Sequence, residues 1–154
     1  MTALDRTDPT AWADAFITSI IEERIEDIIA GYDPSDDTYV FLEGPRWSTK
    51  TGARVATGWK AFVDSPIRMR AHEWVEGPFA VFEGSMGWIA GIVDLTVRAG
   101  DRELRIRLRG TYVLREHRPG DWAIVHEHFS QPLADPYGLG DWLPTSKGGL
   151  APDL

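Results

Sequence analysis

The 154-residue chain contains no cysteine. That absence removes disulfides, thiolate nucleophiles and every cysteine-containing zinc site, so any metal would have to be held by carboxylates and the four histidines. Cations are scarce as well. Lys plus Arg number 16 against 24 Asp plus Glu, and the formal charge of -8 repels nucleic-acid phosphates and anionic membrane surfaces. No apolar run approaches the ~18 residues of a membrane span, and the start, Met1 to Arg6, lacks the apolar core of a secretory leader. These absences predict a cytoplasmic protein that has neither nucleic acid nor a membrane as partner. A Gly-x-Ser-x-Gly elbow and a phosphate-binding glycine loop are also missing, and Gly84-Ser85-Met86-Gly87 reads as a hairpin turn.

What is present suits one domain, with 43% hydrophobic residues. Asp8-Pro9 is a helix start, Asp8 as N-cap and Pro9 pre-set for the first turn. Trp12, Phe16, Ile17, Ile20 and Ile21, then Ile25, Ile28 and Ile29, recur at helical spacing as one long helix or two short ones. Gly31 and Tyr32-Asp33-Pro34-Ser35-Asp36-Asp37 stop it; the aspartates lack the spacing of a calcium loop and read as a solvated turn. Thr38 to Glu43 follows as a strand with Tyr39, Phe41 and Glu43 on one face. Thr57 then caps a short helix whose Trp59, Phe62 and Val63 form an apolar stripe, and Pro66 ends it.

From His72 the period changes to two. Strands over about 72–83, 87–98, 102–116 and 121–130, separated by tight turns, predict an antiparallel meander. Helices first and strands after give an α+β domain over 1–132, a curved antiparallel sheet wrapped around the N-terminal helices with a cavity at its wide end. Residues 133–154, rich in proline and glycine around Trp142 and Leu143, read as an extended arm that packs on the domain or on a second subunit.

The last strand, Asp121 to Ser130, carries the candidate site. Strict alternation places Trp122, Ile124, His126, His128 and Ser130 on one face, where imidazoles require partners. Pairing Arg115 with Trp122 across the turn sets Thr111 opposite His126 and Arg109 opposite His128. The resulting cluster of Arg109, Thr111, His126 and His128 suits a carboxylate or enolate oxygen, walled by Trp59, Trp88 and Phe41 with Glu43 nearby. A one-residue slip would instead set Tyr112 opposite His126. Two further readings stay open: the histidines satisfy backbone carbonyls, Glu43 or Glu83 as structural groups, or they ligate a metal with His72, which lacks a spaced acidic partner. Asp94, alternating with Trp88, Ala90, Ile92 and Thr96, is either a base or an outward, hydrogen-bonded carboxylate. Arg105 and Arg107 share the parity of Arg109 and read as a solvated or salt-bridged row.

The segment Thr57-Gly58-Trp59-Lys60-Ala61-Phe62, the strand Arg109-Gly110-Thr111-Tyr112-Val113 and the strand Gly120 to Ser130 resemble the SnoaL-like branch of the nuclear-transport-factor-like superfamily, across roughly residues 8–132. The final hairpin is similar to the association domain of calcium/calmodulin-dependent kinase. The resemblance implies a ketosteroid-isomerase-like cone, a homodimer packed through the outer sheet face, and a pocket between the concave face and the helices. Dimerisation is also expected from the face bearing Leu104, Ile106, Leu108, Tyr112 and Leu114, too apolar for water. Two functions follow. One is a cofactor-free isomerase, cyclase or dehydratase acting by proton transfer on a small apolar compound, with His126, His128 or Asp94 as acid or base and Arg109 at the oxyanion. The other is a dimeric module that binds a small ligand or assembles without chemistry. No cofactor and no metal are expected in either.

Overall fold

The structure, a computed structural model, describes residues 4–42 and 46–135. Its elements are α1 (Pro9–Ile21), α2 (Ile25–Ala30), β1 (Tyr39–Phe41), β2 (Thr49–Lys50), α3 (Gly52–Asp64), β3 (Ile67–Glu83), β4 (Met86–Ala99), β5 (Arg102–Arg118) and β6 (Asp121–Ser130). One curved, unclosed sheet runs in the order β2-β1-β6-β5-β4-β3, with β1 parallel to β6 and the four long strands as an antiparallel meander. This is the expected α+β cone.

The helical layer follows from its sequence. Asp8 accepts a hydrogen bond from the Ala11 amide at 3.4 Å, and Pro9 opens α1. The apolar stretch 12–29 forms two helices, because Glu23 turns left-handed at φ 56° and breaks it. Trp12, Phe16 and Ile20 recur on one face of α1 and press onto the concave side of the sheet. Trp12 stacks on Phe16 at 5.7 Å, and Tyr112 of β5 meets both rings edge-on at 6.0 and 5.6 Å.

α3 starts earlier than Thr57. Its cap is Thr51, whose hydroxyl accepts from the Arg54 amide at 3.3 Å; Thr57 lies inside the helix and bonds back to the Ala53 carbonyl at 3.0 Å. The aspartate turn is likewise not all solvated. Asp33 is buried, bonded by His117 at 3.0 Å and Arg115 at 3.3 Å. Burial pushes its carboxyl up, but hydrogen bonds from Ser35 and the charges of His117 and Arg115 outweigh that, and its pKa is lowered.

The decisive departure lies in β6. Leu114 pairs with Ile124 but Val113 pairs with His126, so Val125 is an extra residue on β6, a β-bulge. Side-chain parity reverses there. Trp122 and Ile124 point into the core before the bulge, whereas Glu127 and Phe129 do so after it. His126 and His128 therefore face outward. The inward face of β5 is Leu108, Tyr112 and Leu114, so the face on which dimerisation was expected is mostly the core surface that α1 covers.

No helix among the described residues is long and apolar enough to cross a membrane. The expected arm falls almost wholly outside the described residues: of 133–154, only 133–135 are described.

Candidate functional site

Between the concave face and the helices lies a cavity of about 240 Å³. α1 contributes Ile17 and Ile20 to its wall, and α3 contributes Val55, Trp59 and Phe62. Met69, Leu95, Tyr112 and Phe129 form the sheet side, with Val40 and Leu42 from β1 and just after it. This is the apolar enclosure that small-molecule sites use. Trp59, expected in the wall, is there.

Among the described residues of this apolar lining the one carboxylate is Glu127 and the one cation is Arg46. Glu127 is 3% exposed and therefore deep; Arg46 is exposed and marks the solvent end. The Tyr32 hydroxyl, positioned just after α2 where residue 32 bridges to Ile124, donates a hydrogen bond to Glu127 Oε2. Burial raises the Tyr32 pKa well above 10.0, and the charge of Glu127 and the hydrogen bond to it raise it further. Tyr32 therefore keeps its proton and offers it to the carboxylate. The Trp59 indole lies close enough to the Tyr32 oxygen to oppose that rise slightly, yet its Nε1 is buried and has no hydrogen bond.

The residues singled out from the sequence gather mostly outside this cavity. Arg109, Thr111, His126 and His128 do share a face, but it is the convex one, and their pairing is displaced by two residues: Arg109 lies opposite Ser130, Thr111 opposite His128 and Val113 opposite His126. Two effects add up there, a turn that sets Glu116 rather than Arg115 opposite Trp122, and the bulge. Arg109 Nε donates to Ser130 Oγ at 3.0 Å. His126 Nδ1 meets the Tyr39 carbonyl at 2.5 Å, the backbone-satisfying arrangement that stood as an open reading. Phe41 packs edge-on against both imidazoles, at 5.2 and 5.3 Å, and lines a separate surface groove with His128 and the 95% exposed Trp47.

Trp88 also points outward, at 39% exposure. Asp94 is on that convex face too, covered by guanidiniums rather than sunk in the core. Arg107 binds it through Nε at 2.7 Å and Nη2 at 2.9 Å, and Arg105 adds Nε at 3.0 Å. The hydrogen bonds from Arg107 are the main reason its pKa falls from 3.8 to about 2, with Arg105 helping, so it is a structural ion-pair centre with little basicity. His72 Nε2 meets Asp14 Oδ1 at 2.9 Å, and among the described residues no three His, Asp or Glu side chains cluster as metal ligands. Glu43 lies outside the described residues.

Sequence reasoning missed Glu127, Tyr32, Tyr112 and Arg46. One signal was available: Ala123-Ile124-Val125 is a run of three apolar residues that strict alternation cannot accommodate on a two-faced strand, which marks a bulge. Tyr32 carried no such signal, since it sits among turn residues.

With the fold and cavity in view, comparison with known proteins places the chain. The SnoaL-like domain matches residues 10–134, and the protein belongs to that family. None of the curated proteins is similar enough to count as a relative. Among solved structures, a nuclear transport factor 2-like superfamily protein from Salmonella enterica serovar Typhimurium is 18% identical, covering 87% of this chain and 95% of its own, with a TM-score of 0.73. A ketosteroid isomerase-like protein from Erwinia carotovora atroseptica is 19% identical over 80% of this chain and 94% of its own, TM-score 0.63. A protein assigned as a calcium/calmodulin-dependent protein kinase type II association domain, from Thiobacillus denitrificans, is 22% identical over 81% and 95%, TM-score 0.62. At these identities the likeness is one of fold.

Proposed function

We propose that the protein binds a small apolar compound in the cavity and moves a proton on it without a cofactor, with Glu127 as the base. The observation that carries this reading is a carboxylate at 3% exposure in an otherwise apolar lining, held by a tyrosine whose own proton is secured. Burial makes a carboxylate a stronger base, and the hydrogen bond from Tyr32 offsets part of that gain. The Tyr32 donor orients it, and the hydrophobic wall excludes water that would compete for the abstracted proton. The ketosteroid isomerase-like neighbour shares the cone that makes such a cavity.

A general-base probe tests this without knowledge of the natural compound. 5-Nitrobenzisoxazole is small, neutral and apolar; when a base removes its ring C–H proton, the N–O bond breaks and a coloured cyanonitrophenolate forms. Wild type should turn it over, and Glu127→Gln should slow the reaction ~10²-fold or more, the usual worth of a positioned base. Equal rates would remove Glu127 from the chemistry.

The second reading, assembly into a homodimer, is favoured by a different observation. On the convex face Phe79 is 57% and Val81 53% exposed, and Trp88 lies beside Val81 on the neighbouring strand. Three large apolar side chains in one patch are costly to leave in water. We propose this face, the outer sheet face that the resemblance implies, rather than the face of Leu104, Ile106, Leu108, Tyr112 and Leu114, as the contact between two copies.

A further inference from the structure

The four histidines of the chain divide into two kinds by what faces them, and one kind lies within the proposed contact between copies. We infer that this contact is governed by pH: the dimer forms while His126 and His128 are neutral and comes apart when they take up protons. This rests on the convex-face reading above and names what controls it.

The surface argues first. Strand pairing sets Tyr39, His126, Val113, Trp88 and Val81 side by side in one row across the sheet from β1 to β3. The next row is Phe41, His128, Thr111, Ala90 and Phe79. Together they make an apolar and aromatic band, and because β6 lies between β1 and β5 the imidazoles stand inside it rather than at its edge. Further along the strands the face turns charged, where Arg107, Asp94 and Glu73 are paired in register, so the band has the apolar centre and polar rim of an interface. A two-fold contact joins the same patch on both copies, and a patch that holds Trp88 and Val81 together with Tyr39 and Phe41 holds the imidazoles between them.

The charge argues separately. His72 meets Asp14 at 2.9 Å and His117 meets Asp33 at 3.0 Å, so a proton added to either ring finds a carboxylate. Among the described residues His126 and His128 meet none. His126 Nδ1 donates to the Tyr39 carbonyl, which leaves Nε2 as the atom that takes the proton. The charged side chains on the flanking strands are cations: Lys50 of β2, 5.6 Å from the Tyr39 ring, and Arg109 and Arg115 of β5, of which Arg109 is bonded to Ser130 and Arg115 to Asp33 and Asp37. Glu127, on β6 itself, points the other way into the cavity. Protonation therefore places charge from both copies in an apolar contact beside cations, and lost hydration and repulsion act in the same direction. The net charge of -8 becomes less negative in acid, which by itself favours association, so dissociation in acid identifies the local effect.

Sedimentation at about pH 8 and about pH 5.5, the range over which imidazoles gain a proton, tests this. The dimer Kd of the wild type should rise about a hundredfold on acidification, about threefold for each of the four imidazoles buried in a dimer. His126→Gln/His128→Gln, whose amides stay neutral, should dimerise with one Kd at both values while His72 and His117 still titrate. Unfolding curves at both values show that the chain is folded in each, and the acid limb of Asp94 lies lower, below 3.8. A measurement on the wild type stands beside the variant: calorimetric dilution at about pH 6.5 in buffers of different ionisation enthalpy should show that dissociation takes up protons. A wild-type Kd that does not move with pH, a double variant that keeps the wild-type dependence, or dissociation without proton uptake would each overturn the inference and leave the contact standing. A wild-type monomer at pH 8 would overturn both.

Discussion

The Phe129 ring lies so close over Gly110 that a Cβ at position 110 would sit 2.3 Å from its Cε1. The two residues are paired on adjacent strands, and Phe129 is part of the cavity wall. The bare glycine is what lets the ring lie flat against the sheet.

Gly110→Ala should therefore push Phe129 toward the cavity and destabilise the fold by ~1–3 kcal/mol, the range for overpacking. The double variant Gly110→Ala/Phe129→Leu should recover part of that loss, because the two sites share one steric conflict. Denaturant unfolding of the three variants measures it; additive losses would refute the shared conflict.

Tyr32→Phe should cost ~1–3 kcal/mol, since it takes one donor from a carboxylate that stays buried. Glu127→Gln should cost less, because an amide oxygen still accepts from Tyr32 and no charge remains to be buried. Thermal unfolding of both decides the order, and the reverse order would mean that the fold depends on the charge itself.

Asp94 sets an acid limb to stability. Its pKa is depressed in the fold, so its contribution is complete above 3.8 and is lost as pH falls toward about 2. Wild type should lose stability across that window, and Asp94→Asn should be weaker at neutral pH yet flatter there. Unfolding curves recorded from pH 6 down to about 2 provide the comparison; parallel profiles would show that Arg105 and Arg107 do not hold it.

Sedimentation should give twice the 17.2 kDa chain mass at micromolar concentration. Trp88→Glu on the convex face should yield a folded monomer, since a charge there opposes burial between copies but meets water in one chain. A wild-type monomer, or a dimer unmoved by the substitution, would exclude this face.

Chelator should leave the unfolding temperature unchanged. His72 is committed to Asp14 and His126 to the Tyr39 carbonyl, and among the described residues no third ligand converges on them. A drop in unfolding temperature with chelator would show otherwise.

The layout of the domain was legible because it rests on periodicity. Asp8-Pro9, the stripe of Trp12, Phe16 and Ile20, and the period-two runs after residue 67 each follow from local backbone preference and one-sided burial. The site was legible only through Trp59. Its other members depend on two quantities that alternation does not carry: the register of a hairpin, and the position of one extra residue within it. Arg109, Thr111, His126 and His128 were correctly grouped with one another and assigned to the wrong side. Tyr32 reaches Glu127 across 95 residues of chain, and no local pattern encodes such a contact.

The extra residue at Val125 gives β6 a property of inheritance. The same residues in a regular strand, without the bulge, would alternate His126 and His128 onto the inward face of Ile124 and turn Glu127 out to the surface, with no substitution at all. Relatives in this family must accordingly be aligned from the cavity end of that strand rather than from its hairpin. Two chains with identical residues there, one bulged and one regular, would hold different reagents in the same cone.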